Sequence, residues 1–189
     1  MAVLGLDEVL KRVKEENLVE DLSDRELTNP EGVGIDLRLG AVHKIVEGGA
    51  FIEADGPEQL GLRKGIQTEL IKRYDPKSKE QPFVELLPEE YYLVETVEKL
   101  NTPEDLMPVL YPRGSLFKAG ILLLCSKADP GYQGFLGFGL KNLSKFPVKL
   151  QLGARFCNVV FFKIEGSAVK YRGQHQGGRV SIKEEERQV

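Results

Sequence analysis

The spacing of apolar residues along the chain changes once. Leu6, Val9, Leu10 and Val13 recur at i, i+3, i+4 and i+7 with charged residues between them, which predicts one short amphipathic helix over residues 6–17. A turn-forming stretch, 23–34, ends it. Beyond that point the period shortens, and β-branched and aromatic residues recur. Strands are predicted over 35–39, 42–46, 83–87, 91–97, 107–111, 121–125, 134–141, 148–150 and 156–164, most of them bounded by Gly, Pro, Asn or Asp. Many short strands and few helices predict a mostly β sandwich or barrel. Thr102-Pro103-Glu104-Asp105 reads as a single helical turn with Thr at the N-cap and Pro at the first helical position. The polar stretch 56–81 contains Arg63, Lys64, Lys72 and Arg73. It reads as an insertion with a short helix around 66–72, and 181–189 reads as a solvated tail.

Composition narrows the function classes. With 189 residues, 41% of them hydrophobic, the chain suits one domain with a well-filled core. Its 26 basic and 29 acidic side chains leave a net charge of -3, which offers no long-range attraction for nucleic acid. A small phosphorylated ligand is compatible with that charge, because it needs only a few cations and backbone N–H groups in one pocket. No basic flank followed by an apolar run opens the sequence, and no stretch approaches the roughly 20 apolar residues of a membrane span. The expectation is a soluble cytoplasmic protein without a membrane partner. Cys125 and Cys157 sit in apolar runs with no CxxC spacing and read as small buried hydrophobes.

Three clusters carry candidate chemistry. In Gly34-Ile35-Asp36-Leu37-Arg38 an Asp alternates with aliphatic residues, which requires a partner for its charge; Arg38, two residues on, is the simplest one. In Pro112-Arg113-Gly114-Ser115-Leu116-Phe117-Lys118 two cations, a glycine and a hydroxyl follow a strand-ending proline. This is either a phosphate cradle or an ordinary turn with surface cations. In Asp129-Pro130-Gly131-Tyr132-Gln133-Gly134 a tight turn holds a carboxylate and an aromatic ring on its two sides. Such a carboxylate either orients and deprotonates a water or merely caps the turn.

In order along the chain these clusters resemble the first three motifs of the dUTPase and dCTP deaminase superfamily. Gly153-Ala154-Arg155-Phe156-Cys157-Asn158 resembles the fourth, and Lys170-Tyr171-Arg172-Gly173-Gln174-His175-Gln176-Gly177 the C-terminal segment that closes over the nucleotide in the deaminase-like branch. The resemblance implies one domain folded as a distorted jelly roll or β-barrel with a short N-terminal helix. It further implies a homotrimer with sites at the subunit interfaces, and magnesium-bound deoxypyrimidine triphosphates as substrates. Arg113, Gly114, Ser115 and Lys118 would hold phosphates, Asp129 would lie by the sugar as the catalytic base, and Tyr132 would pack on the deoxyribose. Asp36 would support the phosphate or metal side indirectly. Asn158 stands where the fourth motif often has Gln, and Tyr171, Gln174 and Gln176 belong to the closing segment. His175 in that segment reads as a solvated or packing residue.

Within that superfamily the strand after the third motif separates two reactions. Deaminases carry a Glu there as a proton shuttle; counting from Asp129 puts Gly139 at that position, in a strand without a carboxylate. The expectation is therefore dUTP hydrolysis to dUMP and pyrophosphate, with Gly137 and Gly139 leaving the backbone open to read the base. The alternatives are a dCTP deaminase recruiting Glu85, Glu89 or Glu90, and a non-catalytic deoxynucleotide-binding regulator.

Overall fold

A computed structural model of the protein describes residues 2–182 and 184–188. The predicted helix forms as α1, Leu6–Glu16, which buries Val9 and Val13 and ends on Asn17 in the left-handed region at φ 53°. After the short strand β1, Val19–Glu20, Ser23 caps a second helix, α2 (Asp24–Thr28), accepting the Glu26 backbone N–H at 3.4 Å. This helix lies where only a turn was expected.

Eight strands form one antiparallel sheet. Its path runs β8 (Leu106–Pro112), β12 (Arg155–Lys163), β2 (Ile35–Glu47), β7 (Tyr91–Asn101), β10 (Gln133–Asn142) and β9 (Ile121–Leu124), with β1 also on β7 and β5 (Gln67–Arg73) also on β2. Strand β2 joins the two predicted strands 35–39 and 42–46. Gly40 falls at the register shift between Leu39 and Ala41, where a Cβ would stand 2.5 Å from the Thr96 carbonyl carbon. Further shifts let β2 pair with β12, β7 and β5 in turn, so the sheet curls into a nearly closed barrel. Alternation then assigns the faces. In β10, Leu136, Phe138 and Leu140 point into the core, and Phe138 meets Phe156 edge-to-face at 5.2 Å; Gly137 and Gly139 point outward.

Three predicted elements take other forms. Residues 66–72 are strand rather than helix: β5 pairs with β2, because an exposed strand of mixed polarity gains its ladder from the neighbour rather than from its own periodicity. Thr102 does not cap a helical turn. Its backbone pairs with Gly131 and Tyr132 at 2.8 Å each, leaving a plain turn at 103–106. Part of the tail is ordered as β13, Glu186–Arg187, paired with β4, Leu62–Lys64, which also pairs with β3, Phe51–Ile52; Lys183 and Val189 lie outside the described residues. A separate two-stranded sheet joins β6, Phe83–Leu86, to β11, Val148–Gln151. No helix among the described residues is long and apolar enough to cross a membrane.

Candidate active site

Beside β9 and β10 the outer face of the sheet hollows into a cleft of about 530 Å³. Leu93, Gly139 and Leu124 lie side by side in register on its floor. A Cβ at Gly139 would overlap the Tyr91 phenol, standing 2.7 Å from its Cε2, so the missing side chain is what admits that ring. Burial raises the Tyr91 hydroxyl above its ordinary pKa, further from neutral pH.

The turn after β9 supplies the cleft's carboxylate. Asp129 and Tyr132 flank Pro130-Gly131, with Gly131 at φ 81° and the Tyr132 N–H donating to the Asp129 carbonyl at 3.1 Å. Lys127 forms an ion pair with the half-exposed Asp129 carboxylate. That cation went unread in the sequence, although a spacing of two in extended backbone puts both side chains on one face. Tyr132 is buried, meets Tyr171 edge-to-face at 5.5 Å, and donates its hydroxyl hydrogen bond to the Phe135 carbonyl. Burial, with Tyr171 close by, pushes its phenol up to about 12.

The closing segment docks on this same turn. The Tyr171 N–H donates to the Pro130 carbonyl at 2.6 Å and the Gly177 N–H to the Gln133 carbonyl at 2.7 Å. Gln176 accepts the Gln133 N–H at 3.2 Å and donates to the Gly131 carbonyl at 3.1 Å, so it anchors the segment rather than facing the cleft. Gln174 faces Arg63, whose guanidinium donates to it at 2.5 Å. The segment also brings His175 and Arg179 into the cleft wall. Burial, then the neighbouring cations Arg179 and Arg63, lower the His175 pKa; Glu186 holds Arg179 bidentately at 2.7 and 3.0 Å.

The remaining predicted residues gather in a second cluster. The Asp36 carboxylate does not pair with Arg38, which binds the fully buried Glu98 at 2.6 Å. It instead holds Arg155 at 3.0 Å, Arg113 at 3.2 Å and the Asn158 amide at 2.9 Å. Gly34 makes room for this contact, since a Cβ there would overlap the Asn158 carboxamide. With both oxygens committed, Asp36 braces Arg113. Arg113 in turn precedes the short helix α3, Gly114–Lys118, on which Gly114, Ser115 and Lys118 are exposed and Leu116 is the buried anchor. None of Arg113, Gly114, Ser115, Lys118 and Asn158 lines the cleft of the same chain.

Two other expectations are refined. Cys157 is buried as expected, but Cys125 is exposed and lines the cleft, its thiol raised in pKa by partial burial. Glu85, Glu89 and Glu90, the alternative carboxylates for deamination, lie outside the cleft lining, which among the described residues contains Asp129 as its one carboxylate. No group of three His, Cys, Asp or Glu side chains suited to a metal ion occurs among the described residues.

The dCTP deaminase-like family model matches residues 3–164. The chain belongs to that family. This member is 31% identical over 167 residues to a dCTP deaminase of Pyrococcus furiosus, covering 88% of each chain. It is 29% identical over 152 residues to a probable deoxyuridine 5'-triphosphate nucleotidohydrolase of Methanothermobacter thermautotrophicus, covering 80% of this chain and 89% of that one. Its fold is shared with the crystal structure of 2'-deoxycytidine 5'-triphosphate deaminase from Agrobacterium tumefaciens, with a TM-score of 0.62 and 18% identity over 86% of this chain. The matched region spans only 48% of that longer protein. The architecture is thus that of the dUTPase and dCTP deaminase superfamily, and the protein is an enzyme of that group.

Proposed function

We propose that this family member hydrolyses dUTP to dUMP and pyrophosphate. The observation that carries the reading is the cleft lining: among the described residues Asp129 is its one carboxylate, and backbone with a neutral phenol above it takes the place of a side chain at 139. Deamination requires a group that moves a proton to and from the pyrimidine ring, a contribution of roughly 10²–10⁴-fold; among the described residues no second carboxylate lines the cleft, and burial with two neighbouring cations lowers the His175 pKa, which disfavours it as the acid. The names of the relatives favour dCTP deamination as the second reading.

On the hydrolytic reading Asp129 accepts a proton from water as the phosphoanhydride between the α- and β-phosphorus atoms breaks and pyrophosphate leaves. Lys127 holds the carboxylate's orientation. Tyr132 and Tyr171 wall the sugar side, and the backbone at Gly137 and Gly139 faces the base. The phosphate-holding set of Arg113, Gly114, Ser115 and Lys118 reaches this cleft from a second copy in a homotrimer. That assembly would cover the exposed Phe117, Leu122 and Phe146. Magnesium would be bound through the triphosphate, where it neutralises phosphate charge.

Asp129→Asn tests the base directly. Pyrophosphate release from dUTP should fall by roughly 100-fold or more, while binding of dUTP stays within a few fold of the parent. Unchanged turnover would remove Asp129 from the mechanism.

A further inference from the structure

The Tyr91 hydroxyl lacks a use in the scheme above. Tyr91 opens β7 and lies over the outward face of β10, with its hydroxyl end above Gly139. It is partly buried, lines the cleft, and its hydroxyl makes no hydrogen bond among the described residues. The neighbouring Tyr92, by contrast, points into the core and accepts the Leu87 N–H at 3.0 Å. The floor beside Tyr91 is apolar, being Leu93 and Leu124. A lone hydroxyl among leucines has its hydration reduced and gains most from a polar partner brought by a ligand.

We infer that Tyr91 is a base-specificity residue, its hydroxyl donating a hydrogen bond to the exocyclic oxygen at position 4 of the uracil ring. The inference rests on the proposed dUTP reading and deepens it. Along β10 the Tyr132–Tyr171 pair stands at the strand's beginning, and Tyr91 stands over Gly139 toward its far end. A nucleotide whose sugar lies by Tyr132 therefore presents the ring edge opposite the glycosidic nitrogen, which is position 4, to Tyr91. The Tyr91 phenol is protonated at neutral pH, as an ordinary phenol is, and burial raises its pKa further, so it stays a donor. Gly139 is the complementary half of the arrangement. Any side chain there displaces the phenol, so Gly139→Ala and Tyr91→Phe should weaken recognition of the same ring atom.

The test uses binding, so that it does not depend on turnover. Affinities of the full-length protein and of Tyr91→Phe are measured by titration calorimetry for two α,β-imido triphosphates, those of deoxyuridine and of deoxyribosyl pyrimidin-2-one, which lacks the 4-oxygen. The parent should prefer the uracil analogue by roughly 2- to 12-fold more than Tyr91→Phe does, the loss of one neutral hydrogen bond. Tyr91→Phe should bind the pyrimidinone analogue as the parent does, which separates recognition from folding damage. Equal preference in both proteins overturns the Tyr91 assignment. Parallel turnover of dUTP by the parent judges the hydrolytic reading separately: preference without pyrophosphate release leaves Tyr91 standing and removes that reading. Failure of the parent to bind either analogue overturns both.

Discussion

Gly134→Ala is the substitution that most cleanly separates the closing segment from the barrel beneath it. Gly134 adopts φ 138°, a conformation open essentially to glycine alone, and a Cβ there would stand 2.7 Å from the Gly177 Cα. The backbone strain is worth about 1–3 kcal/mol. The displaced Gly177 N–H bond to the Gln133 carbonyl is worth about 0.5–1.5 kcal/mol more. Together these come to about 1.5–4.5 kcal/mol, which shifts the docking equilibrium by roughly 12- to 1,600-fold at 1.4 kcal/mol per decade. Because ordering a segment of this length is itself costly in chain entropy, docking has little margin, and such a shift populates the undocked form. Hydrogen exchange should show lost protection at the Tyr171 and Gly177 amides with β7 and β2 unchanged, and KM for nucleotide should rise. Gly177→Ala is the control. Its Cβ meets nothing within 4 Å although its φ is 85°, so its effect should be smaller. Parent-like protection of 170–178 in Gly134→Ala would refute the reasoning.

Other consequences follow from the buried charges. Glu98, fully buried, accepts both the Arg38 backbone N–H and its Nε at 2.7 and 2.6 Å; Glu98→Ala should cost about 3–5 kcal/mol and lower Tm by about 6–20 °C, and an unchanged Tm would contradict this. Burial pushes the Glu98 carboxyl up. Its contribution to stability is therefore present below the ordinary Glu value and lost as pH rises through the raised one. Asp105 behaves oppositely, its carboxyl held down by the Arg12 hydrogen bond. That contribution is present above the ordinary Asp value and lost as pH falls through the depressed one, so Arg12→Ala should flatten the acid limb of a stability–pH profile. Asp36→Ala, which frees Arg113 and Arg155, should destabilise by about 1–3 kcal/mol in denaturant titrations and raise KM for nucleotide.

The barrel was readable because alternation in 91–97 survives intact in β7, and the apolar residues of 134–141 still mark the buried face of β10 despite a bulge between Phe135 and Gly137. Residues 66–72 were not readable as strand. Each face of β5 mixes polar residues with one apolar residue, Leu70 on one and Ile71 on the other, so no alternation marks it and only its pairing with β2 decides its form. Asp129 and Tyr132 of the third motif line one cleft with Gly137, Gly139 and Tyr171. The partner of Asp36 was misread, because Arg113, at the start of α3, and Arg155, on β12, are distant in sequence, whereas Arg38 is a neighbour only in number. Tyr91 carried no motif signal; its meaning depends on the register that lays it over Gly139. Lys127, by contrast, was within reach of the period-two rule.

A cleft in which Asp129 is the one carboxylate among the described residues should break a phosphoanhydride rather than exchange the ring amine. Incubating the protein with magnesium and either dUTP or dCTP, and following pyrophosphate and ammonia separately, tests it most directly. Pyrophosphate from dUTP and no ammonia from dCTP are expected; ammonia released from dCTP at a comparable rate would contradict the hydrolytic reading.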